Sequence, residues 1–321
     1  MKWEKEIILT EEGSREAILP FIISASRATD IPAFYPEWFI QSLKKGYCKW
    51  INPFNGKAQY ISFKKMKHIV FWTKNPKPIL KHIKYFDDSN LSYYFHFTLN
   101  DYDTTIEPNL PVLSERIETF KELSQLIGKE RVVWRFDPLL LTDCCNVDDL
   151  LNKLYNLGNQ IYRYTNKLVF SFADISIYRS VCSSLKKRNI NYLEFDTEKM
   201  LTVAKHIKRF NREWNIITAT CCEKVDLEEY GISHNKCIDD DLIRKLTKDS
   251  ELLEFLGSSI SSRMDSISGN TTIGKNPLKD KGQRKECGCI LSKDIGRYNT
   301  CPHLCPYCYA NSSSGKTLPI N

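Results

Sequence analysis

The segment HIVFWTKN (68–75) contains four consecutive β-branched or aromatic residues and ends in Thr, Lys and Asn. A short apolar run of this kind, bounded by polar turn residues, is typical of a strand that is buried on both faces of a parallel sheet. Five more segments share the pattern: LPFIISAS (19–26), YYFHFTLN (93–100), RVVWRFDP (131–138), KLVFSFAD (167–174) and NIITATCC (215–222). The sequence therefore predicts six buried parallel strands.

Amphipathic stretches separate these segments and are long enough to be crossover helices. They cover residues 36–45, 113–127, 148–165, 177–188 and 198–211. Six β-α units with right-handed connections predict an α/β fold in which a parallel sheet curves into a partial (β/α)6 TIM-like barrel over residues 1–225. Residues 226–321 then form a C-terminal extension, with a helix around 239–256, a long Ser-, Gly- and Asn-rich loop at 257–277 and a cysteine-rich tail.

Apolar residues make up 42% of the 321 residues and charged residues 26%, a balance typical of a globular protein. The N-terminal segment carries charges throughout, and no later window is apolar enough to cross a bilayer, so we expect a cytoplasmic protein with no membrane partner. Because thiols stay reduced in the cytoplasm, the twelve cysteines indicate metal binding and buried structural thiols rather than disulfides. The net charge of +7 is scattered and leaves an anionic partner open.

Hydrogen-bonding side chains follow each of the six predicted strands. One such residue alone is most simply explained as a helix cap or a turn residue. Since the carboxyl ends of parallel strands meet at one mouth, the whole set predicts a ligand site there. The residues are Ser26, Arg27, Asp30, Thr73, Lys74, Asn75, Thr98, Asn100, Arg135, Asp137, Asp174, Thr220 and Glu223.

The tail motif CPHLCPYC (301–308) holds three cysteines, Cys301, Cys305 and Cys308, with three and then two intervening residues. A short loop with this spacing can wrap three thiolates around three irons of a [4Fe-4S] cluster. The fourth iron then has no Cys ligand. An open iron of this kind can bind the amino and carboxylate groups of S-adenosylmethionine beside a reducible cluster.

This motif, including the aromatic Tyr307 before the last cysteine, resembles the cluster motif of the radical S-adenosylmethionine superfamily. The whole chain, with SASRATDIP (24–32), FWTKNP (71–76), CGC (287–289) and DIGRYNTC (294–301), resembles the uncharacterised family called domain of unknown function 1848. The superfamily resemblance implies reductive cleavage of S-adenosylmethionine to a 5'-deoxyadenosyl radical. It further implies an oxygen-sensitive enzyme, an electron donor such as flavodoxin or ferredoxin, and a small-molecule or macromolecular substrate that the sequence does not identify.

The motif lies near the C-terminus, whereas members of the superfamily generally carry it after the first strand. Only 13 residues follow Cys308, so the β-α units must precede the motif and the tail must fold back across their mouth. The superfamily's glycine-rich strip after the second strand is absent, and TKNP (73–76) stands in its place. We expect cofactor contacts from Thr73, Lys74, Asn75, Thr98 and Tyr307, and catalytic or substrate contacts from Arg27, Asp30, Arg135 and Asp137.

Four other cysteines have spacing that invites a ligand assignment: Cys222, Cys237, Cys287 and Cys289. Together they could bind an auxiliary [4Fe-4S] cluster. The alternative is that they are buried thiols and turn residues, as free cysteines often are, and Cys221 competes with Cys222 for any such role. The remaining cysteines lack ligand spacing to one another; they are Cys48, Cys144, Cys145 and Cys182.

Two other functions remain open from the sequence. Cys287 and Cys289, followed by Cys305 and Cys308, approximate the two halves of a four-cysteine zinc site in a nucleic-acid or protein interaction module, although Cys301 is then unused. A radical enzyme that acts on nucleic acid would explain the positive charge and the aromatic and basic cluster at 162–164. That cluster is equally well explained as the polar face of a helix.

Overall fold

The computed structural model describes residues 3–264, 278–311 and 317–320. Its strands are β1 (Lys5–Thr10), β2 (Gly13–Ile18), β3 (Ile22–Ala25), β4 (Tyr47–Ile51), β5 (Ala58–Ser62), β6 (His68–Thr73), β7 (Ser92–Thr98), β8 (Val132–Leu139), β9 (Leu141–Thr142), β10 (Lys167–Phe172), β11 (Tyr192–Leu193), β12 (Ile217–Thr220), β13 (Ile232–His234) and β14 (Lys293–Asp294).

The described helices alternate with the central strands. They are α1 (Ile31–Phe34), α2 (Pro36–Lys45), α3 (Ile83–Asp88), α4 (Leu113–Ile127), α5 (Val147–Ile161), α6 (Arg179–Lys187), α7 (Thr197–Trp214), α8 (Asp240–Leu246) and α9 (Ser250–Met264). None of the described helices is both long enough and apolar enough to span a bilayer.

The main sheet has eight described strands, all parallel, in the order β13-β12-β10-β8-β7-β6-β3-β14. Its six central strands are the six that the sequence predicts, and they follow one another in chain order. The mixed α/β class and the large parallel sheet are therefore confirmed. Within the described residues the sheet is open, with β13 and β14 at its edges, and the partial barrel of radical S-adenosylmethionine type stays a prediction.

Alternate residues of the central strands face two separate apolar layers. Ile23, Phe71 and Phe95 pack in a core shared with the flanking helices. Ile22 and Val70 point to the opposite face, where the C-terminal extension covers them with apolar side chains from two stretches, 238–256 and 278–290. Burial on both faces explains why these strands are continuous apolar runs rather than alternating ones. The extension thus packs with residues of five neighbouring strands, β3, β6, β7, β8 and β10.

The extension differs in two respects from the sequence-based expectation. The single helix expected around 239–256 is wrong, because two helices, α8 and α9, stand there with a break at Thr247. Asp249 begins the second helix by accepting a hydrogen bond from the backbone N–H of Leu252 at 2.9 Å. Helix α9 continues to Met264 into the stretch predicted as a loop, and the remainder of that loop, 265–277, lies outside the described residues.

Two smaller sheets were not predicted. The strands β1, β2, β5 and β4 form one, in that order, at the N-terminal side of the molecule, and β9 pairs with β11 in the other. Burial in strand β1 alternates between exposed and half-buried residues, as in a sheet with one face exposed to solvent. Its sequence KEIILT does not alternate in polarity, and the exposed positions include Ile7 and Leu9.

Candidate functional site

A cavity of about 400 Å³ lies where the central strands end and the tail crosses them. This volume falls in the range that small-molecule sites occupy, ~300–1,000 Å³. Of the sixteen residues to which the sequence assigns a cofactor-binding, catalytic or metal-binding role, fifteen line the cavity: Arg27, Asp30, Thr73, Lys74, Thr98, Arg135, Asp137, Tyr307, Cys222, Cys237, Cys287, Cys289, Cys301, Cys305 and Cys308. The structure therefore brings together side chains that are up to 281 positions apart, from Arg27 to Cys308.

Asp294 attaches the tail to the first central strand. Its Oδ1 accepts hydrogen bonds from the Ser26 hydroxyl at 2.8 Å and from the backbone N–H of Gly296 at 2.9 Å. Its Oδ2 accepts from the Ser24 hydroxyl at 2.5 Å and from the backbone N–H of Arg27 at 2.8 Å. One carboxylate thus holds β14 in register beside β3 and directs the following residues over the cavity.

The loop that carries Cys301, Cys305 and Cys308 is held by hydrogen bonds along its backbone. The Tyr35 hydroxyl donates to the carbonyl of Thr300 at 2.5 Å, and the Asn311 amide donates to the carbonyl of Cys301 at 2.8 Å. Leu304 has φ of 54°, which lets the chain reverse between the first and second cysteines. The backbone N–H of Cys308 donates to the carbonyl of Cys305 at 3.0 Å. The loop is therefore shaped by its surroundings as well as by its own sequence.

Burial dominates the electrostatics of these three thiols. It raises the pKa of Cys305 to about 12, although the nearby Lys74 ammonium opposes the shift. It also raises the pKa values of Cys301 and Cys308. The free thiols are neutral at pH 7, so a bound metal would have to displace their protons, as metal binding to cysteine does.

Asp30 and His303 join the cysteine loop to the end of β3. His303 lies between Cys301 and Cys305, and its Nε2 donates to Oδ2 of Asp30 at 2.9 Å. The same oxygen accepts the backbone N–H of Lys74 at 2.7 Å, and Oδ1 accepts that of Ala33 at 3.0 Å. Asp30 is therefore fully engaged in holding three segments together, which makes it a positioning residue.

A second buried network lies on the other side of the loop and centres on Glu107, whose side chain is 1% exposed. Its Oε1 accepts from the Lys74 ammonium at 2.7 Å, from the Tyr307 hydroxyl at 2.5 Å and from the Asn100 amide at 3.0 Å. Arg116 lies 3.4 Å from Oε2. Burial would raise the pKa of Glu107, but Lys74 and Arg116 outweigh it and lower that pKa.

Lys74 faces the cysteine loop and is oriented by this network. Its ammonium lies 5.3 Å from the centroid of the Tyr307 ring and close enough to Cys305 to influence that thiol's pKa. Burial lowers the pKa of Lys74, but Glu107 and Cys305 raise it above its ordinary value, so the ammonium stays charged. The site thus keeps one buried cation beside the cysteine loop.

The other predicted cofactor-binding residues differ in whether they line the cavity. Thr73 and Thr98 line the cavity, although the Thr73 hydroxyl already accepts the backbone N–H of Asn75 at 3.0 Å. Asn75 lies outside the cavity lining, where its Oδ1 accepts the backbone N–H of Lys77 at 3.3 Å. In this structure Asn75 shapes the turn after β6.

Arg135 and Asp137 form an ion pair at the end of β8, and Arg135 Nε lies 3.0 Å from Oδ2 of Asp137. The Asp137 Oδ1 accepts from the Ser171 hydroxyl, and Arg135 Nη1 donates to the Cys237 sulfur at 3.1 Å. Burial would lower the pKa of Arg135, but Asp137 and the neighbouring thiols raise it. The pair fixes one wall of the cavity next to the second group of cysteines.

Glu223 follows Cys222 at the end of β12 and is largely buried. Its Oε1 accepts the backbone N–H of Phe172 at 2.9 Å. Burial raises the pKa of this carboxyl to about 7, with further contributions from Asp174 and Asp137. The cavity therefore contains a carboxyl that can carry a proton near neutral pH.

The cysteines separate into two groups inside the cavity. Cys301, Cys305 and Cys308 influence one another's pKa values on the wall that the loop forms. Cys287 contacts Cys222 and Cys289, and Cys289 in turn contacts Cys237. The zinc site considered from the sequence would combine Cys287 and Cys289 with Cys305 and Cys308. In the structure, Cys287 and Cys289 contact Cys222 and Cys237 instead, and Cys305 and Cys308 belong to the other group.

The aromatic and basic cluster at 162–164 lies away from the cavity. It follows α5 as a single 3-10 turn, immediately before β10 begins, and so it is at the opposite end of the strand from the site. Tyr162 and Tyr164 are partly buried against the main core, and Arg163 Nε donates to the Tyr162 hydroxyl at 3.0 Å. The Arg163 guanidinium also lies 5.5 Å from the centroid of the Tyr162 ring, on one face of that ring.

Four residues of the site were not among the sequence-based candidates. Glu107 stands in a loop with no strand or motif to mark it, and His303 sits inside the motif but has no spacing that identifies its partner. Asp294 and Tyr309 belong to the tail, where Tyr309 stacks on Tyr178 at 5.6 Å. A signal existed for His303 alone, because a buried His beside cysteine ligands commonly has an acidic hydrogen-bond partner.

Comparisons with known proteins give one family and distant likenesses to solved structures. A family model described as Domain of unknown function (DUF1848) matches residues 22–310. No curated protein gives a significant match. Among solved structures, a Bacteroides thetaiotaomicron VPI-5482 protein described as a candidate alpha-L-fucosidase is similar, with 11% identity, 60% of this chain and 74% of that chain covered, and a TM-score of 0.24.

Proposed function

The chain belongs to the family Domain of unknown function (DUF1848), and we propose that it is a radical S-adenosylmethionine enzyme whose cluster ligands are Cys301, Cys305 and Cys308. The observation that carries the proposal is the placement of these three thiols on one wall of the 400 Å³ cavity. Their spacing supplies three ligands and leaves one iron of a four-iron cluster free for a small molecule. The neighbouring cavity provides the space for that molecule.

The donor set fits such a cluster. The three sulfurs come from one short loop, in which Cys305 is buried and Cys301 and Cys308 are half-buried. The Lys74 ammonium lies near two of them, Cys305 and Cys308. Thiolates in a site shielded from water are stabilised by an adjacent cation. When bound, a reduced four-iron cluster supplies the electron that cleaves S-adenosylmethionine into methionine and a 5'-deoxyadenosyl radical.

The residues of this chain hold and enclose the reactants. Asp30 and Glu107 fix the cysteine loop from two sides through His303 and Tyr307. Thr73 and Thr98 offer hydroxyls on the cavity wall at the ends of β6 and β7, where we expect polar groups of the cofactor. The tail forms one side of the cavity and shields the reactants from solvent, which limits side reactions of reactive intermediates.

The substrate would lie farther along the cavity, toward the ends of β8, β10 and β12. Arg135, Asp137, Arg27 and Glu223 line that part. The carboxylate of Asp137 is fixed by Arg135 and Ser171, so it orients neighbouring groups, whereas Glu223 can exchange a proton near neutral pH. These residues define a polar substrate pocket whose reaction the geometry leaves open.

The test begins with anaerobic purification and measurement of iron, sulfide, zinc and the visible spectrum. After reduction by dithionite in the presence of S-adenosylmethionine, the protein should form 5'-deoxyadenosine. The variant Cys301→Ala/Cys305→Ala/Cys308→Ala should form none, whereas Cys144→Ala, which changes an exposed cysteine outside the cavity, should match the wild type. Zinc without iron or sulfide, or full cleavage in the triple variant, would reject the proposal.

A further inference from the structure

Five cysteines outside the CPHLCPYC loop lie together on the opposite side of the cavity. They come from three separate parts of the chain: Cys221 and Cys222 follow β12, Cys237 follows β13, and Cys287 and Cys289 belong to the tail. Their sulfurs form a continuous row of contacts in the order 222, 287, 289, 237 and 221. The last contact, between Cys237 and Cys221, measures 3.4 Å. Convergence of three segments on one row of thiols is difficult to attribute to packing alone.

Hydrogen-bond donors are aimed at the sulfurs of this row. Cys237 receives Nη1 of Arg135 at 3.1 Å and the Asn235 amide at 3.2 Å. Cys289 receives the backbone N–H of Ile238 at 3.3 Å. Neutral buried thiols behave as small apolar groups and need no such donors, whereas thiolates that bind metal are regularly stabilised by them.

Arg27 supplies the second, independent observation. Its guanidinium lies 4.9 Å from the centroid of the Trp72 ring and contacts Cys289. Its Nη2 is buried and makes no hydrogen bond, and within the described residues Arg27 pairs with no carboxylate. A buried cation needs a counter-charge. The groups close enough to interact with the Arg27 charge are the Asp294 carboxylate and the sulfurs of Cys289 and Cys237, and both of these sulfurs belong to the row.

The backbone conformation of Cys222 also supports a functional role for this group of cysteines. Its φ is 62°, in the left-handed region, which is unfavourable for a residue with a side chain. Strain of this kind is typically retained where a side-chain direction matters. This conformation brings the Cys222 sulfur into contact with Cys287. The Cys221 sulfur instead contacts Arg135 and Cys237.

We propose that Cys222, Cys237, Cys287 and Cys289 bind a second [4Fe-4S] cluster, with Arg27, Arg135 and the Ile238 amide as its hydrogen-bond donors. Four thiolates close all four irons, so this cluster has no open position for S-adenosylmethionine. It lies across the cavity from the first site and joins the tail to the strands β12 and β13. It is a site distinct from the three-cysteine site, although both open on the same cavity.

The experiment counts iron and acid-labile sulfide per chain in the anaerobically reconstituted full-length protein. With two cubanes we expect about eight irons in the wild type and about four in either Cys301→Ala/Cys305→Ala/Cys308→Ala or Cys287→Ala/Cys289→Ala. Addition of S-adenosylmethionine should alter the electron paramagnetic resonance signal of the Cys287→Ala/Cys289→Ala variant and leave that of the triple variant unchanged. Circular dichroism of each variant checks that it is folded.

Cys221 offers a matched control for Cys222. Cys221→Ala should keep about eight irons, and Cys222→Ala should lose the second cluster; the reverse result overturns the assignment of the fourth ligand. Two results would overturn the second site. One is a triple variant that is folded but contains no iron. The other is a wild type that contains only about four irons, all of which are retained in Cys287→Ala/Cys289→Ala. The latter result leaves the proposed function standing. Iron retained in the triple variant, with no 5'-deoxyadenosine from the wild type, rejects the proposed function and leaves the second site standing.

Discussion

The imidazole of His303 donates a hydrogen bond to the carboxylate of Asp30 over 2.9 Å, and both side chains are buried. His303 stands between two cysteines of the tail, and Asp30 caps the helix that follows the first central strand. The contact therefore joins residues 273 positions apart. Because Asp30 also accepts the backbone N–H of Lys74, it couples the cysteine loop to the ends of two adjacent strands.

Replacing this carboxylate tests the coupling. In Asp30→Asn, an amide NH2 replaces one acceptor oxygen, and one or two donors lose a partner in a buried position. We expect the free energy of unfolding to fall by about 1–3 kcal/mol, measured by urea unfolding. In a double-mutant cycle with His303→Gln, the second substitution should cost much less in the Asp30→Asn background than in the wild type. Strictly additive effects would contradict a direct Asp30–His303 interaction.

Glu107 is the second anchor, and its removal should be more damaging. Glu107→Gln leaves the Lys74 ammonium and the Arg116 guanidinium buried beside a neutral amide, and breaking a buried pair in this way costs about 3–5 kcal/mol. Glu118→Gln is the matched control, because Glu118 pairs with Lys121 on the surface with its side chain 72% exposed. Its effect should stay within about 0.5 kcal/mol. Equal urea midpoints for the two variants would show that the Glu107 network does not stabilise the fold.

We predict that the stability of the protein depends on pH through His68, which is not part of the cavity lining. Its ring is fully buried at the start of β6, with Nδ1 2.6 Å from the Ser92 hydroxyl and the Tyr94 ring at 5.3 Å. Burial, with a smaller effect from Arg131, lowers the pKa of His68 to about 3. Below about pH 6.5, His68 therefore binds a proton in the unfolded chain but not in the folded protein. The free energy of unfolding present at pH 8 consequently decreases as the pH falls.

By pH 5 this loss should reach about 2 kcal/mol from His68 alone. The measurement compares urea midpoints at pH 8 and pH 5 for the wild type and for His68→Gln, which keeps a polar group near Ser92 but does not titrate. The variant should be less stable than the wild type at pH 8 and should lose less stability between the two values. An identical pH dependence in both proteins would exclude His68 as its source.

The sequence predicted the central sheet because its signal is local. Segments such as Ile69 to Trp72 are apolar throughout, and burial on both faces leaves no other stable place for them. The polar residues after each strand were predicted to meet, and most of them line one cavity because parallel strands end on the same side. Two helices, Pro36–Lys45 and Leu113–Ile127, were predicted to the residue, since Pro36 marks the start of one and Gly46 and Gly128 the ends of both.

The remaining features depend on contacts between distant residues. Strand β14 has only two residues, and its pairing with β3 is set by the side-chain hydrogen bonds of Asp294 rather than by any propensity of Lys293 and Asp294. Glu107 carries no local pattern, because its role arises only when the tail brings Tyr307 to it. The break between α8 and α9 did have a local signal, the capping residue Asp249, which the apolar periodicity across the junction obscured.

Gly296 follows β14, and a side chain at this position should pull the tail away from β3. A Cβ atom there would overlap the Ser26 hydroxyl and lie 3.2 Å from Cγ2 of Thr29, while the Gly296 carbonyl is already fixed by the Trp50 indole N–H at 3.0 Å. The Ser26 hydroxyl could avoid the overlap only by leaving Asp294, which it holds at 2.8 Å. Gly296→Ala should therefore destabilise the protein by about 1–3 kcal/mol and expose the tail to limited proteolysis.

Gly257→Ala is the control for this prediction, because the added Cβ meets no atom within 4 Å and the residue lies in helix α9, where alanine is favoured by about 1 kcal/mol. It should leave the proteolysis pattern unchanged and raise the urea midpoint slightly. If Gly296→Ala instead shows the wild-type midpoint and the wild-type cleavage rate, the close contact between Gly296 and Ser26 does not limit the position of the tail. The cysteine loop would then be held mainly by the contacts of Tyr35 with Thr300, of Asp30 with His303 and of Glu107 with Tyr307.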